Sequence, residues 1–258
     1  MFALRPALLL LLGALLAPAA ARAESAACGA PPELLESGAA LPVTARAIAT
    51  GRLRVVATGS ASVLGPGTSG PEAAWPMRLR ALLEARHPGL RVEMVVRGAR
   101  GLTATDTAAL IAEELAQGQL QQGGAVQLVL WQAGTVEAVR GLDLDDMVDV
   151  LNTGLDLLRA QGVDAVVIDP QFSRFLRANA NIDAYRDMLR LVAAAHAVPL
   201  LRRYELMRYW AETERVDLER APRSRRVAVA DRLNDCLARA MAELLQSGMA
   251  EAQPAPRP

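Results

Sequence analysis

The sequence contains no lysine, so all 28 of its basic residues are arginines. They are matched by 28 acidic residues, which leaves the chain without a formal net charge. A neutral chain lacks the long-range attraction that draws proteins to nucleic acids and anionic membranes. Aromatic residues, three each of Trp, Tyr and Phe, are too few for a surface on which bases stack. We therefore expect no nucleic-acid partner.

Histidine and cysteine are also scarce. The chain has two of each, His87, His196, Cys28 and Cys236, and they are widely spaced. Such a set does not form a zinc site, so we expect no metal. The glycine-rich stretch 59–71, GSASVLGPGTSGP, lacks the lysine of a Walker loop and the spacing of a dinucleotide-binding fingerprint. We therefore expect no cofactor.

The N-terminus has the pattern of a secretory signal peptide. Arg5 precedes an apolar run at 7–20, and Ala21-Arg22-Ala23 gives a small-x-small cleavage pattern before Glu24. The run is shorter than the ~20 apolar residues of a spanning helix. We expect residues 1–23 to be removed and the protein to be periplasmic or secreted, with no membrane span after cleavage. The alternative is an uncleaved N-terminal anchor.

Export would place both cysteines in an oxidising compartment, where two thiols usually pair. A Cys28–Cys236 disulfide would hold an otherwise loose N-terminal arm, which we assign to residues 24–50. The alternative is two unpaired thiols, one of them buried.

Residues 51–248 form the predicted domain, and the composition of 249–258 predicts a disordered tail.

The domain reads as alternating strands and helices. Strands are predicted at 53–58, 91–96, 126–131, 164–168 and 198–201, and helices at 75–86, 103–117, 144–161, 183–196 and 229–247. Short apolar strands between amphipathic helices favour a parallel sheet covered on both faces. We predict an α/β, three-layer, flavodoxin-like domain with five strands. Its functional residues should lie in the loops after the strands, 59–70, 97–102, 132–141 and 169–181.

Four blocks along the chain resemble those of a known family. They are a strand leading into Gly59-Ser60-Ala61-Ser62, then Val95-Val96-Arg97-Gly98-Ala99-Arg100-Gly101, then Leu130-Trp131-Gln132-Ala133-Gly134-Thr135, and Asp231 near the last helix. In order and spacing the chain is similar to the SGNH/GDSL hydrolases, from about Arg54 to Leu245. The stretches Asp169-Pro170-Gln171-Phe172 and Arg203-Tyr204-Glu205-Leu206-Met207 are also similar to one bacterial subgroup of this family. The resemblance implies an αβα fold and a secreted esterase or acylhydrolase ancestry.

The chain departs from this family at the positions that carry the chemistry. The resemblance places Gly59 at the family glycine, Ser60 at its Asp and Ala61 at the nucleophilic serine. Arg97 replaces the Asn of the second block, although Gly98 remains. Val136 replaces the Asn of the third block, and Asn234 stands where the histidine is expected after Asp231. The predicted vestigial cleft therefore consists of Gly59, Ser60, Ala61, Ser62, Gly98, Gly134, Val136, Asp231 and Asn234.

Two functions remain open at this point. The first is a protein without triad esterase activity that binds a small ligand or a cell-envelope partner, with Arg97 and Arg100 as candidate ligands of a carboxylate or phosphate. Each of these arginines could instead pair with Glu137 or another nearby acid. The second is an active esterase in which Ser60 or Ser62 uses a base such as Asp231 or Glu137.

Overall fold

A five-stranded parallel sheet forms the centre of the protein. The computed structural model describes residues 28–120 and 124–252, so the predicted signal peptide and most of the predicted tail lie outside the described residues. The strands are β1 (Arg52–Ser60), β2 (Arg91–Ala99), β3 (Leu128–Gln132), β4 (Asp164–Ile168) and β5 (Leu200–Leu201). They lie in the order β2-β1-β3-β4-β5, and every neighbouring pair is parallel. This arrangement confirms the predicted fold class.

Helices cover both faces of this sheet. They are α1 (Pro42–Ala49), α2 (Trp75–Arg86), α3 (Ala104–Leu120), α4 (Thr135–Arg140), α5 (Leu144–Ala160), α6 (Arg174–Asn179), α7 (Ile182–Ala195), α8 (Arg203–Glu212) and α9 (Arg226–Glu251). Sequence periodicity predicts α2, α3, α5, α7 and α9. It does not predict α1, α4, α6 and α8; of these, α4 and α6 have six residues each and span less than two turns. Within the described ranges, no helix combines the length and apolar composition needed to cross a bilayer.

The side chains of β1 and β3 alternate between two apolar clusters. Val55 and Leu130 pack on the side that carries α2 and α9, while Val56, Val129 and Trp131 pack on the side that carries α3, α5 and α7. This period of two is expected of strands that are buried on both faces. The central strands are therefore held between two cores, whereas the edge strand β2 is half-buried or exposed along most of its length.

The N-terminal region 28–50 is fastened to the domain at several points. Cys28 and Cys236 form a disulfide with a Cα–Cα distance of 4.8 Å. Trp210 Nε1 donates a hydrogen bond to the carbonyl of Gly29 (3.1 Å). The main-chain N–H of Leu41 donates to the carbonyl of Gly248 (2.8 Å), immediately before α1 begins. The segment expected to be an arm thus contains a helix and packs against α9.

Candidate functional site

Two glycines meet where β1 and β2 end. Gly59 and Gly98 are register partners in the sheet. A Cβ atom on Gly98 would lie 2.2 Å from Val63 Cγ2, and one on Gly59 would lie 2.7 Å from Gln132 Cβ. Close packing therefore requires glycine at both positions. Gly134 follows β3 at the same edge of the sheet and begins α4, so the three glycines share one end of neighbouring strands.

Ser60 and Ser62 lie at this edge with Ala61 between them. Ser60 ends β1, and Ala61 and Ser62 begin a 3₁₀ turn, Ala61–Leu64. Ser62 Oγ donates to Gln132 Oε1 (2.8 Å), and Gln132 Nε2 donates to Ser60 Oγ (3.0 Å). One amide at the end of β3 therefore binds both hydroxyls. In the part of the chain that the structure describes, no imidazole or carboxylate is within hydrogen-bond distance of either serine oxygen.

Arg203, the first residue of α8, reaches the same group. Its guanidinium is buried, with 4% of the residue exposed. Nη1 donates to Gln132 Oε1 (2.8 Å) and Ser62 Oγ (3.1 Å), and Nη2 donates to Gln171 Oε1 (3.3 Å). Burial lowers the pKa of Arg203 to about 10, so the group keeps its charge at neutral pH. The sequence resemblance includes Arg203 in one similar stretch but assigns it no role; its place two residues after β5, at the carboxyl end of the sheet, is the signal that could have identified it.

A cavity of about 200 Å³ opens beside these side chains. Its lining includes Ser62, Gln171, Arg174, Arg203 and Asn234. The structure thus brings the predicted residues Ser62 and Asn234 to one cavity, together with three residues that were not predicted to belong to the site. The cavity lies at the carboxyl ends of the strands, where ligand sites of such sheets occur.

Asn234 and Asp231 belong to α9 and hold neighbouring loops. Asn234 is buried, and its Oδ1 accepts a hydrogen bond from the main-chain N–H of Trp75 (3.0 Å) at the start of α2. Asp231 Oδ1 accepts from the main-chain N–H of Ser69 (2.8 Å). Among the described residues, Asp231 has no hydrogen bond to a hydroxyl of the 59–62 segment. Both side chains therefore act as anchors for the chain between β1 and α2.

Val136 and Glu137 lie in the first turn of α4. Val136 brings an apolar side chain to the position where the family resemblance implies an amide. Glu137 is buried, and its carboxylate accepts from the main-chain N–H groups of Gly134 (2.9 Å) and Ala104 (2.5 Å). Both carboxylate oxygens are thus used to fix the starts of two helices, and neither contacts the serines.

Arg97 and Arg100 lie elsewhere than in the cavity lining. Arg97 pairs with Glu113 (Nη2–Oε2, 3.0 Å) and Glu114 (Nη1–Oε1, 3.4 Å), both on α3. Arg100 is exposed just beyond the end of β2. Pairing with a nearby acid is the alternative that the sequence left open for these arginines, and the structure shows it for Arg97.

Both histidines lie at the opposite ends of the strands. His87 follows α2 just before β2, and His196 follows α7 just before β5. His196 Nε2 is 2.9 Å from Asn152 Oδ1 on α5, which is a structural contact. Across residues 28–120 and 124–252, no three His, Cys, Asp or Glu side chains come together as metal ligands.

A buried carboxyl lies behind the cavity. Asp169 follows β4 and is fully buried. Its Oδ1 accepts from the main-chain N–H of Tyr204 (2.9 Å), and its Oδ2 is 3.6 Å from Arg186 Nε. Burial raises the pKa of Asp169 to about 7, and the neighbouring Glu205 adds to the increase. Arg186 also contacts Glu205 directly, so this cluster carries several charges within the fold.

Comparison with known sequences identifies a family. The model of the non-GDSL lipase-like family matches residues 27–251. No curated protein matches the sequence.

Solved structures of esterases share the fold. TesA superposes with a TM-score of 0.55 at 17% identity, over 74% of this chain and 99% of TesA. Axe2, an acetylxylan esterase from Geobacillus stearothermophilus, gives 0.55 at 17% identity, over 73% of this chain and 94% of Axe2. LAE5, an alpha/beta hydrolase enzyme from the metagenome of Lake Arreo in Spain, gives 0.52 at 22% identity, over 74% and 96%. The predicted resemblance is confirmed for family and fold.

Proposed function

This chain belongs to the non-GDSL lipase-like family, and we propose that it is an exported member that binds a ligand in its SGNH-type cleft without hydrolysing esters. One observation carries the proposal: the hydroxyls of Ser60 and Ser62 are bound by an amide and a guanidinium, and among residues 28–120 and 124–252 no imidazole or carboxylate lies within hydrogen-bond distance of them. The cleft of the fold is kept while the groups that perform hydrolysis are replaced.

The chemistry of ester cleavage explains why this arrangement is inactive. A serine hydroxyl is a weak nucleophile unless a neighbouring base takes its proton. Arg203 cannot serve, because a guanidinium has no acceptor and stays protonated. Gln132 is equally unable to take up a proton at neutral pH. Ala61 has no hydroxyl, and Asn234 is committed to the Trp75 main chain.

The second hypothesis, an esterase that uses Asp231 or Glu137 as the base, lacks the contact that it needs. Asp231 binds the main chain at Ser69, and Glu137 binds the main chain at Gly134 and Ala104. Neither carboxylate forms a hydrogen bond with a serine hydroxyl among the described residues. The geometry therefore favours binding over hydrolysis.

Two features support export. Residues 1–23 have the sequence pattern of a secretory signal peptide. The Cys28–Cys236 disulfide is of a kind that persists in oxidising compartments. We therefore assign the protein to the periplasm or the exterior, where its partner is a small ligand or a component of the cell envelope.

A broad screen of p-nitrophenyl esters tests the proposal. The wild-type protein should release no p-nitrophenol above the rate of a Ser60→Ala/Ser62→Ala double variant. Ala61→Ser should also remain at background, because the new hydroxyl would still lack a base. Wild-type hydrolysis that the double variant abolishes would establish the esterase hypothesis instead.

A further inference from the structure

The charges around the cavity are unevenly matched. At its outer end, Arg174 pairs with Asp217 (Nη2–Oδ2, 2.9 Å) and Glu219 (Nη1–Oε2, 3.3 Å). Arg220 Nε lies 3.9 Å from the same Asp217 carboxylate. Two arginines thus balance two acids there. Burial opposes ionisation, but hydrogen bonds hold the pKa of both carboxyls below their usual range, chiefly from the Arg174 side chain for Asp217 and from the Ser173 hydroxyl for Glu219.

The arginine at the inner end of the cavity, Arg203, forms no ion pair in the described part of the chain, although the buried Asp169 attracts it electrostatically. In the described part of the chain, no carboxylate oxygen lies within 4.0 Å of the Arg203 guanidinium. All its hydrogen-bond partners are neutral oxygens, and its buried Nε has no partner among the described residues. The nearby acids Asp169 and Glu205 are both engaged by Arg186. A buried cation is costly unless it is paired, so an anionic ligand in direct contact with Arg203 would offset that cost.

The remaining lining limits what that anion can be. Phe172, Met207, Leu233 and Leu237 give the cavity apolar walls. Its volume of about 200 Å³ is below the ~300–1,000 Å³ of sites for drug-sized ligands. A single unmatched arginine suits one negative charge, because a phosphate dianion would leave charge unpaired. The occupant should therefore combine one anionic head with a short apolar body.

We propose that the cavity binds a small aliphatic carboxylate, whose head group pairs with Arg203 and whose alkyl body contacts the apolar walls. A guanidinium and a carboxylate match in shape and charge, and such pairs are stronger than neutral hydrogen bonds. Ser62 Oγ and Gln171, which already border the guanidinium, lie where they can contact the same head group. This assignment rests on the proposed binding function and names its ligand class.

An NMR titration of the full chain at constant ionic strength tests the proposal. Butyrate is the probe, butyramide is its uncharged counterpart, and inorganic phosphate is the alternative anion. Wild-type protein should bind butyrate, and butyramide should bind roughly tenfold or more weakly. Arg203→Met should weaken butyrate binding by a similar factor. Arg223→Met, at an exposed arginine outside the cavity lining, should leave it unchanged.

Three results would overturn the proposal. They are equal binding of butyrate and butyramide, unchanged butyrate affinity in Arg203→Met, and binding of phosphate without butyrate. The comparison of butyrate with butyramide uses only wild-type protein, so it decides the question even if Arg203→Met does not fold. Neither probe is an ester. The two tests are thus independent. Hydrolysis in the ester screen would contradict the proposed function, and absence of butyrate binding would contradict the assignment of a carboxylate ligand.

Discussion

Ser62 Oγ lies 3.1 Å from Arg203 Nη1 and accepts a hydrogen bond from it. A serine that attacks an ester donates its hydroxyl proton to a base, whereas the Ser62 hydroxyl donates a hydrogen bond to the Gln132 amide oxygen and accepts one from the Arg203 guanidinium. The same guanidinium nitrogen binds Gln132, whose amide also binds Ser60. The polar centre of the cleft is thus organised around the positive charge of Arg203.

The buried amide of Asn234 should contribute to stability. Asn234→Ala would leave the buried N–H of Trp75 without its acceptor, which costs about 1–3 kcal/mol. Urea unfolding measures the loss, and Asn179→Ala, at an exposed asparagine, is the matched control. Equal stability of the two variants would show that the Asn234 contact does not anchor α2.

Gly98 should tolerate no side chain. Gly98→Ala places a Cβ 2.2 Å from Val63 Cγ2, so the 3₁₀ turn after β1 must shift. We expect a loss of about 1–3 kcal/mol in the free energy of unfolding. Gly70→Ala is the control, because a Cβ there has nothing within 4 Å. A Gly98→Ala protein as stable as this control would contradict the packing described at the cleft.

Asp169 should give stability an unusual pH dependence. Its pKa is about 7 in the folded protein against an ordinary value of 3.8. The folded protein therefore holds the Asp169 proton more tightly than the unfolded chain does. The free energy of unfolding gains this difference in full below about pH 4, and the gain is lost as the pH rises through about 7. Asp169→Asn cannot ionise but keeps an acceptor for Tyr204. Its free energy of unfolding relative to wild type should increase from about pH 5 to about pH 8.

Urea denaturation at the two pH values measures this difference, with Glu72→Gln at an exposed acid as the control. A difference between Asp169→Asn and wild type that stays constant with pH would show that Asp169 does not hold a proton in the fold.

The disulfide should be complete in protein prepared from an oxidising compartment. Thiol titration of the denatured, unreduced chain should detect almost no thiol, because Cys28 and Cys236 are the only cysteines. The Cys28→Ser/Cys236→Ser variant should lose about 2–5 kcal/mol of stability. Two titratable thiols per chain would contradict both the disulfide and the export that it supports.

Periodicity was sufficient for the long elements of the fold. The spacing of Trp75, Leu79 and Leu83 predicts a helix at 75–86, and α2 has these bounds. Strand β4 likewise occupies the predicted 164–168. Short elements were less accessible, since six residues in α6 do not establish a helical period.

The cleft was predictable only in part. Block order placed Ser60, Ser62 and Asn234 in one region because parallel strands end at a common edge. It could not show that Gln132 and Arg203 converge on the serines, since they come from separate segments of the chain. Whether an arginine has a carboxylate partner depends on packing. The sequence alone therefore favours Arg97 and Arg100, and not Arg203, as the ligand-binding arginines.

Reaction with a fluorophosphonate tests the central claim most directly. An activated serine hydroxyl attacks the phosphorus of this reagent and displaces fluoride, leaving a covalent adduct that intact-mass spectrometry detects. With no base beside Ser60 or Ser62, the mass of the wild-type protein should be unchanged under conditions that fully label an active serine esterase. An adduct that peptide mapping assigns to Ser60 or Ser62 would show an activated nucleophile and contradict the account.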